Sequence, residues 1–198
     1  MSQDLIVGVV IALISLMVGF FLNEYKMILE KNRENEELKR KWAKLLQIEC
    51  KGAIDALNSN IHFCHRPDYG EDKEMLCRAK RISENSFLSQ IMHNIQNIGN
   101  NVALFDDQII ELIFNLKWGI SDLIRSANEI TMNFKVIYAE EFEDKADSDY
   151  DRYRYEVHEY LAQLNLDEKF VADTCFKLVD KIQEDFDFED IMKEYRIH

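Results

Sequence analysis

Residues 5–22, LIVGVVIALISLMVGFFL, form an 18-residue run without one charged side chain. As a helix the run spans about 27 Å at 1.5 Å per residue, close to a hydrocarbon core of about 30 Å. Thirteen of its residues are Leu, Ile, Val or Phe, and together they favour bilayer insertion by roughly 6 kcal/mol. A buried core helix of this length ordinarily keeps a polar stripe. A cleaved signal peptide needs a basic start and a small-residue cleavage site. Here the run is preceded by MSQD and followed by NEYK, with neither feature. The expectation is a retained transmembrane helix, residues 1–22.

Its flanks set an orientation. No Lys or Arg precedes the run, whereas Lys26, Lys31, Arg33, Lys39, Arg40, Lys41 and Lys44 follow it. Basic residues stay on the cytoplasmic side, and interleaved acids count little. The sequence therefore predicts a single-pass protein of the inner (cytoplasmic) membrane, with a short N-terminus outside and everything from Asn23 onward in the cytoplasm. In that compartment disulfides are rare, so Cys50, Cys64, Cys77 and Cys175 are expected as free thiols.

Within the apolar run the small residues are Gly8, Ala12, Ser15 and Gly19. Their spacing of four, three and four covers about three helical turns, which stacks them on one face. In lipid, helices associate by close van der Waals packing, and small-xxx-small spacing permits it. A homo-oligomer packed through these four positions follows. The face carries one hydroxyl and no ionisable group, a poor lining for a constantly open aqueous pore.

Beyond the run, one proline and six glycines among 198 residues leave few helix breakers. The fold class read from this is all-α: the membrane helix continues into a helical stalk, 23–45, and a cytoplasmic multi-helix bundle, 46–198. Leu38, Trp42, Leu45, Leu46, Ala53, Ile54, Leu57 and Ile61 return at helical spacing, with Glu49 as a break. Residues 64–74, CHRPDYGEDKE, read as a loop, followed by a short helix through EMLCRAKR. A helix from Ser86 to Gly99 would bury Phe87, Ile91, Ile95 and Ile98. Asp106 is a good N-cap for a long helix with a wide apolar stripe. KADSDYD reads as a loop; helices over about 150–164 and 167–186 follow, with Asp167 capping the second, and a short helix closes the chain near 188–195.

The chain carries a formal charge of −13, and residues 139–198 hold 19 acidic and 8 basic side chains, or −11. Such a surface argues against general nucleic-acid binding, which needs basic surface. No Gly-rich phosphate loop, nucleophile elbow or HExxH is present, so the chain reads as a non-enzyme without a cofactor. His62, Cys64, His65 and Cys77 offer metal-capable atoms, but the second ligand pair of a zinc site is missing, and no metal is expected.

Two local groups depart from this background. Arg78, Lys80 and Arg81 follow the loop, and Arg152 and Arg154 alternate with Tyr150, Tyr153 and Tyr155. Guanidinium groups and aromatics together suit a small anionic nucleotide, by charge pairing and stacking; salt bridges to the many carboxylates are their commoner use. In HNIQNIGNN, Asn97 and Asn101 could read a base edge, although Asn near a helix end usually caps or turns the chain.

One N-terminal membrane helix on a small helical cytoplasmic domain resembles the membrane-anchored effectors of bacterial antiphage defence, among them type III CRISPR accessory proteins that sense cyclic oligoadenylates. The resemblance lies in the layout of the chain, not in a motif. It implies a cytoplasmic sensor, an oligomer, a cyclic-nucleotide ligand and membrane perturbation on activation. The alternative is a passive membrane anchor or scaffold that recruits a protein partner, with the acidic C-terminal third selecting a basic one.

Overall fold

A computed structural model describes residues 3–67, 70–84, 86–99, 102–140 and 147–195; side chains are described for 13–67, 70, 73–84, 87–98, 103–132, 155–156 and 158–195. Among the described residues all regular structure is helical, with no strand. Five α-helices follow one another, α1 Gln3–Cys64, α2 Glu71–Glu84, α3 Ser86–Gly99, α4 Asp107–Glu140 and α5 Asp147–Phe186, with short 3-10 turns at Val102–Leu104 and Lys193–Tyr195. The chain divides into two compact units, Met1–Lys41 and Trp42–His198, and α1 contributes residues to both.

In the first unit the described side chains up to Leu29 include twelve exposed large apolar groups, from Leu13 through Phe20, Phe21 and Leu22 to Leu29. Ser15 is exposed, and a Cβ built on Gly19 meets nothing within 4 Å. Lys26 pairs with Glu30 at 3.8 Å and Arg33 with Glu37 at 3.2 Å, each one turn on, as on a solvated helix. Among the described residues no helix is long and apolar enough to cross a membrane. The side chains of Gly8 and Ala12, and of the rest of residues 5–12 in the apolar run, lie outside that description.

The second unit is a bundle, and its core follows the 3.6-residue period. From α1 come Ala43, Leu46, Cys50, Ala53, Ile54 and Leu57; from α4 come Ile109, Ile113, Leu116, Ile120, Leu123, Ala127 and Ile130. In α5 the stripe is Leu164, Val171, Cys175, Leu178, Ile182 and Phe186. Each Leu, Ile, Val or Phe among them adds about 1.5–3 kcal/mol when taken from water. Asp106 caps α4 as its sequence position predicts: the Ile109 N–H donates to its Oδ1 at 2.9 Å. At the interior of α4, Gly119 lets α5 approach so closely that a Cβ there would lie 2.7 Å from Phe170 Cδ1.

Several sequence expectations are corrected. In α3 the buried row is Leu88, Ile91, Ile95 and Ile98, and Phe87 is half exposed; 88-91-95-98 is the true three-four register. α2 starts at Glu71, inside the segment read as loop. α5 is one 40-residue helix rather than two, and it begins at Asp147, inside the expected KADSDYD loop. Asp167 does not cap: its carboxylate accepts from Ser126 of α4 at 2.7 Å and from Gln163 at 2.7 Å. Cys64 and Cys77 are not free thiols. They form a disulfide with Cα atoms 5.7 Å apart, because α2 folds back against the end of α1. Cys50 and Cys175 are free and buried.

Candidate functional site

Three helices and the C-terminal turn of the second unit enclose a cavity of about 660 Å³, within the range of small-molecule sites. α1 supplies Ile54, Leu57, Asn58 and Ile61. α5 supplies Asn165, Glu168, Lys169, Ala172 and Phe176, α2 supplies Arg78, and Glu194 and Tyr195 close the rim. Apolar walls thus surround a small polar group.

That group centres on Arg78. It falls on the core-facing side of α2, one residue before buried Ala79 and between buried Met75 and Ile82. Glu168 falls in the apolar stripe of α5, between Leu164 and Val171. The two are buried together and ion-paired, with Arg78 Nη2 donating to Glu168 Oε2. The same Nη2 donates to Asn165 Oδ1 at 2.8 Å, and Nη1 lies 3.9 Å from Glu74 Oε1. Glu74 Oε2 in turn lies 3.1 Å from His65 Nδ1. Burial pushes the Glu168 carboxyl above the usual carboxylate range, against the pull of the Arg78 guanidinium. A buried pair like this contributes little net stability, since desolvation offsets the attraction.

The rim is tied down separately. Lys51 of α1 pairs with Glu194 and donates to the Tyr195 hydroxyl at 3.1 Å, while that hydroxyl donates to Asp55. The bond to Glu194 is the main cause that raises the Lys51 ammonium well above its usual range. Burial, with Asp55 adding to it, raises the Tyr195 phenol. These contacts fix the C-terminal turn against α1.

Of the residues singled out in the sequence, Arg78 lines this cavity. Arg81 turns to α1 instead: its Nε donates to Asn60 Oδ1 at 3.1 Å, and its guanidinium lies 4.1 Å from the centre of the Phe63 ring. Lys80 is exposed on α2, and Asn97 is exposed on α3. Neither Lys80, Arg81 nor Asn97 is among the cavity residues. Asn101 lies outside the described residues, and so do the side chains of Arg152 and Arg154 in α5. Among the described residues no three His, Cys, Asp or Glu side chains gather to hold a metal ion.

Sequence reasoning missed Glu168, Asn165, Lys169 and the C-terminal rim. One signal for Glu168 was present. Leu164, Glu168, Val171, Cys175 and Leu178 keep a four-three spacing, so Glu168 is a charge in a core register. A second apolar feature lies on the outer side of α4 and α5, where Trp118, Leu166 and Phe170 are exposed around Gly119, Asp122 and Asp167. Comparison with known proteins finds no matching family model, no similar curated protein and no similar solved structure.

Proposed function

We propose that this chain is a single-pass membrane-anchored effector whose helical bundle senses a small ligand and perturbs the membrane when occupied. Residues 5–22 cross the bilayer, the bundle lies in the cytoplasm, and copies associate through Gly8, Ala12, Ser15 and Gly19. The ligand is an anionic small molecule of the cyclic-nucleotide class, and the setting is bacterial defence. One observation carries the sensing part: an apolar-walled cavity holds a buried guanidinium, Arg78, whose partner Glu168 sits on a different helix. An anionic group entering beside Arg78 competes with Glu168 and thereby alters how α2 and α5 pack. Such a ligand shifts the equilibrium between two packings by its differential affinity for them. The cavity wall from α1 belongs to the same helix that carries the apolar run. The anchor rests on that uncharged run and on the exposed apolar side chains from Leu13 to Leu29.

The test expresses the full chain in bacteria and follows membrane potential with a dye while a panel of cyclic nucleotides is supplied. One of them is expected to depolarise the cells, and Gly19→Leu, which thickens the open small-residue face, is expected to weaken the effect. Recovery of the intact chain from the soluble fraction without detergent overturns the anchor. Absence of depolarisation with the whole panel overturns the sensing.

The exposed Trp118, Leu166 and Phe170 favour a second reading, a scaffold that docks a protein partner. It expects partner capture that Trp118→Ala abolishes, with no depolarisation under any nucleotide.

A further inference from the structure

All four cysteines of the chain come together in pairs, and each pair joins α1 to another helix. Cys64, at the end of α1, is bonded to Cys77 of α2. Cys50 of α1 and Cys175 of α5 are buried thiols in hydrogen-bond contact. The two pairs differ in what surrounds them. Cys175 and burial push the Cys50 thiol well up, and thiols are inert in that form. The outer pair closes a loop of residues 65–76, which takes in the first turn of α2. Cys64 is fully buried, and Cys77 is partly exposed, which gives a reductant one sulfur to attack.

Cys77 immediately precedes Arg78, the buried cation of the cavity. Besides the sulfur bridge, Arg81 joins α2 to the end of α1, bonding to Asn60 and stacking on Phe63. The exposed His65–Glu74 contact, just beyond α1, adds a third. None of the three is covalent, and the exposed His65–Glu74 contact is individually weak. The bridge is the covalent tie between the Arg78 turn of α2 and the α1 wall of the cavity.

We propose that the Cys64–Cys77 disulfide is a reversible redox latch on this cavity, closed in oxidising conditions and open in a reducing cytoplasm. The inference rests on the reading of the cavity as a ligand site. Opening follows ordinary thiol–disulfide exchange. A glutathione thiolate bonds to the Cys77 sulfur, the Cys64 sulfur leaves as a thiolate and takes up a proton, and a second glutathione thiolate then displaces Cys77. The products are two cysteine thiols and one oxidised glutathione. Opening unties the Arg78 turn of α2 from the α1 wall of the cavity, while Glu168 and Asn165 of α5 still hold the guanidinium. Cys50 and Cys175 stay thiols throughout.

The experiment uses the full chain in detergent, equilibrated in glutathione buffers from fully reduced to fully oxidised. Alkylation and mass spectrometry count the free thiols, and hydrogen exchange follows residues 71–84. The expected result is that Cys64 and Cys77 gain label together as the buffer becomes reducing, that Cys50 and Cys175 stay protected while the protein is folded, and that exchange in α2 rises at least tenfold. In Cys64→Ser/Cys77→Ser the exchange should be fast in every buffer. A bridge that persists in the most reducing buffer, or exchange in α2 that ignores its reduction, overturns the latch. The fluorescent probe 1-anilinonaphthalene-8-sulfonate, an apolar body with an anionic head, separates the two ideas. If it binds the oxidised protein and Ala172→Trp blocks it, the cavity stands whatever becomes of the latch. If it does not bind, or binds Ala172→Trp equally, the ligand-site reading falls and the redox regulation of a site falls with it.

Discussion

Removing one partner of the buried Arg78–Glu168 pair should cost far more than removing both. The side chains are 7% and 6% exposed, so Arg78→Met leaves a carboxylate in the bundle with its ion partner gone. Breaking a buried pair from one side costs about 3–5 kcal/mol. For the carboxylate that cost has a ceiling, because Glu168 escapes by binding a proton. Protonating an ordinary Glu of pKa about 4.3 at pH 7 requires roughly 3.7 kcal/mol, at about 1.4 kcal/mol per unit. The sign of the pH dependence follows. Burial already raises the native Glu168 carboxyl, and Arg78→Met raises it further, so between the unfolded and folded pKa values the native state holds the extra proton. Stability contributed in this way is complete below the unfolded pKa and is lost as pH rises toward the folded one. The deficit of Arg78→Met should therefore shrink as the pH falls from 7 to 5, by at most about 1.4 kcal/mol per unit. Glu168→Leu strands a guanidinium that acid cannot neutralise, so its deficit persists over the same range. Arg78→Met/Glu168→Leu should lie within about 1 kcal/mol of the parent or above it. Thermal unfolding of the full chain in detergent, followed by circular dichroism at pH 5, 6 and 7, reads all three variants. At about 2–4 °C per kcal/mol, a deficit of about 3–5 kcal/mol places the single variants roughly 6–20 °C below the double at pH 7. A double variant as weak as the sum of the singles, or an Arg78→Met deficit unchanged between pH 5 and 7, would refute the reasoning.

Two interior helix glycines should respond oppositely to alanine, which by propensity alone gains about 0.8–1 kcal/mol. A Cβ at Gly52 meets the far end of the half-exposed Phe87 ring at 2.9 Å, which can swing aside, so Gly52→Ala should be neutral or stabilising by up to that amount. A Cβ at Gly119 meets Phe170 Cδ1 at 2.7 Å and the buried Val171 Cγ2 at 3.2 Å, so Gly119→Ala should lower stability by about 1–2 kcal/mol; equal melting shifts for the two would contradict this. Asp106→Ala removes the α4 cap and should cost about 1 kcal/mol in the same melts. Burial pushes the Asp106 carboxyl up, but the Ile109 N–H, Asp185 and Lys181 outweigh it and hold the pKa below the usual value. That contribution is present above the unfolded Asp pKa and fades as pH falls through the folded one, so the gap between Asp106→Ala and the parent should close below about pH 4.

How much of this was legible beforehand depends on whether a signal was local. The scarcity of breakers and the three-four apolar rows lie along the chain itself, and so α3 and the capped start of α4 could be placed from sequence. The single α5 was legible too, because Leu164, Glu168, Val171 and Cys175 carry the register through residues 165–166 without a break. Asp167 misled because an Asp before an apolar run has the chemistry of a cap, while its actual partner, Ser126, comes from another helix. The Cys64–Cys77 bridge was hidden for a related reason. Compartment chemistry argues for free thiols, and only the return of α2 along α1 brings the two sulfurs together.

The cavity shows where a local reading stops and what extends it. Arg78 attracted notice as one cation in a basic cluster, yet its neighbours Lys80 and Arg81 face elsewhere. What distinguishes Arg78 is that it sits in the core face of its helix. Among the described residues it is the one cation more than nine-tenths buried, and Glu49 and Glu168 are the buried carboxylates. A buried cation needs a buried anion, which reduces its partner to two candidates before any topology is known. Glu49 is instead satisfied by the Asn94 amide of α3 at 2.7 Å, and Glu168 takes Arg78. Charges that interrupt an apolar register therefore name the members of a buried polar site, and the fold only decides which of them meet. Because the apolar alternative costs the bundle little or nothing, stability alone gives no reason for Arg78 and Glu168 to be there.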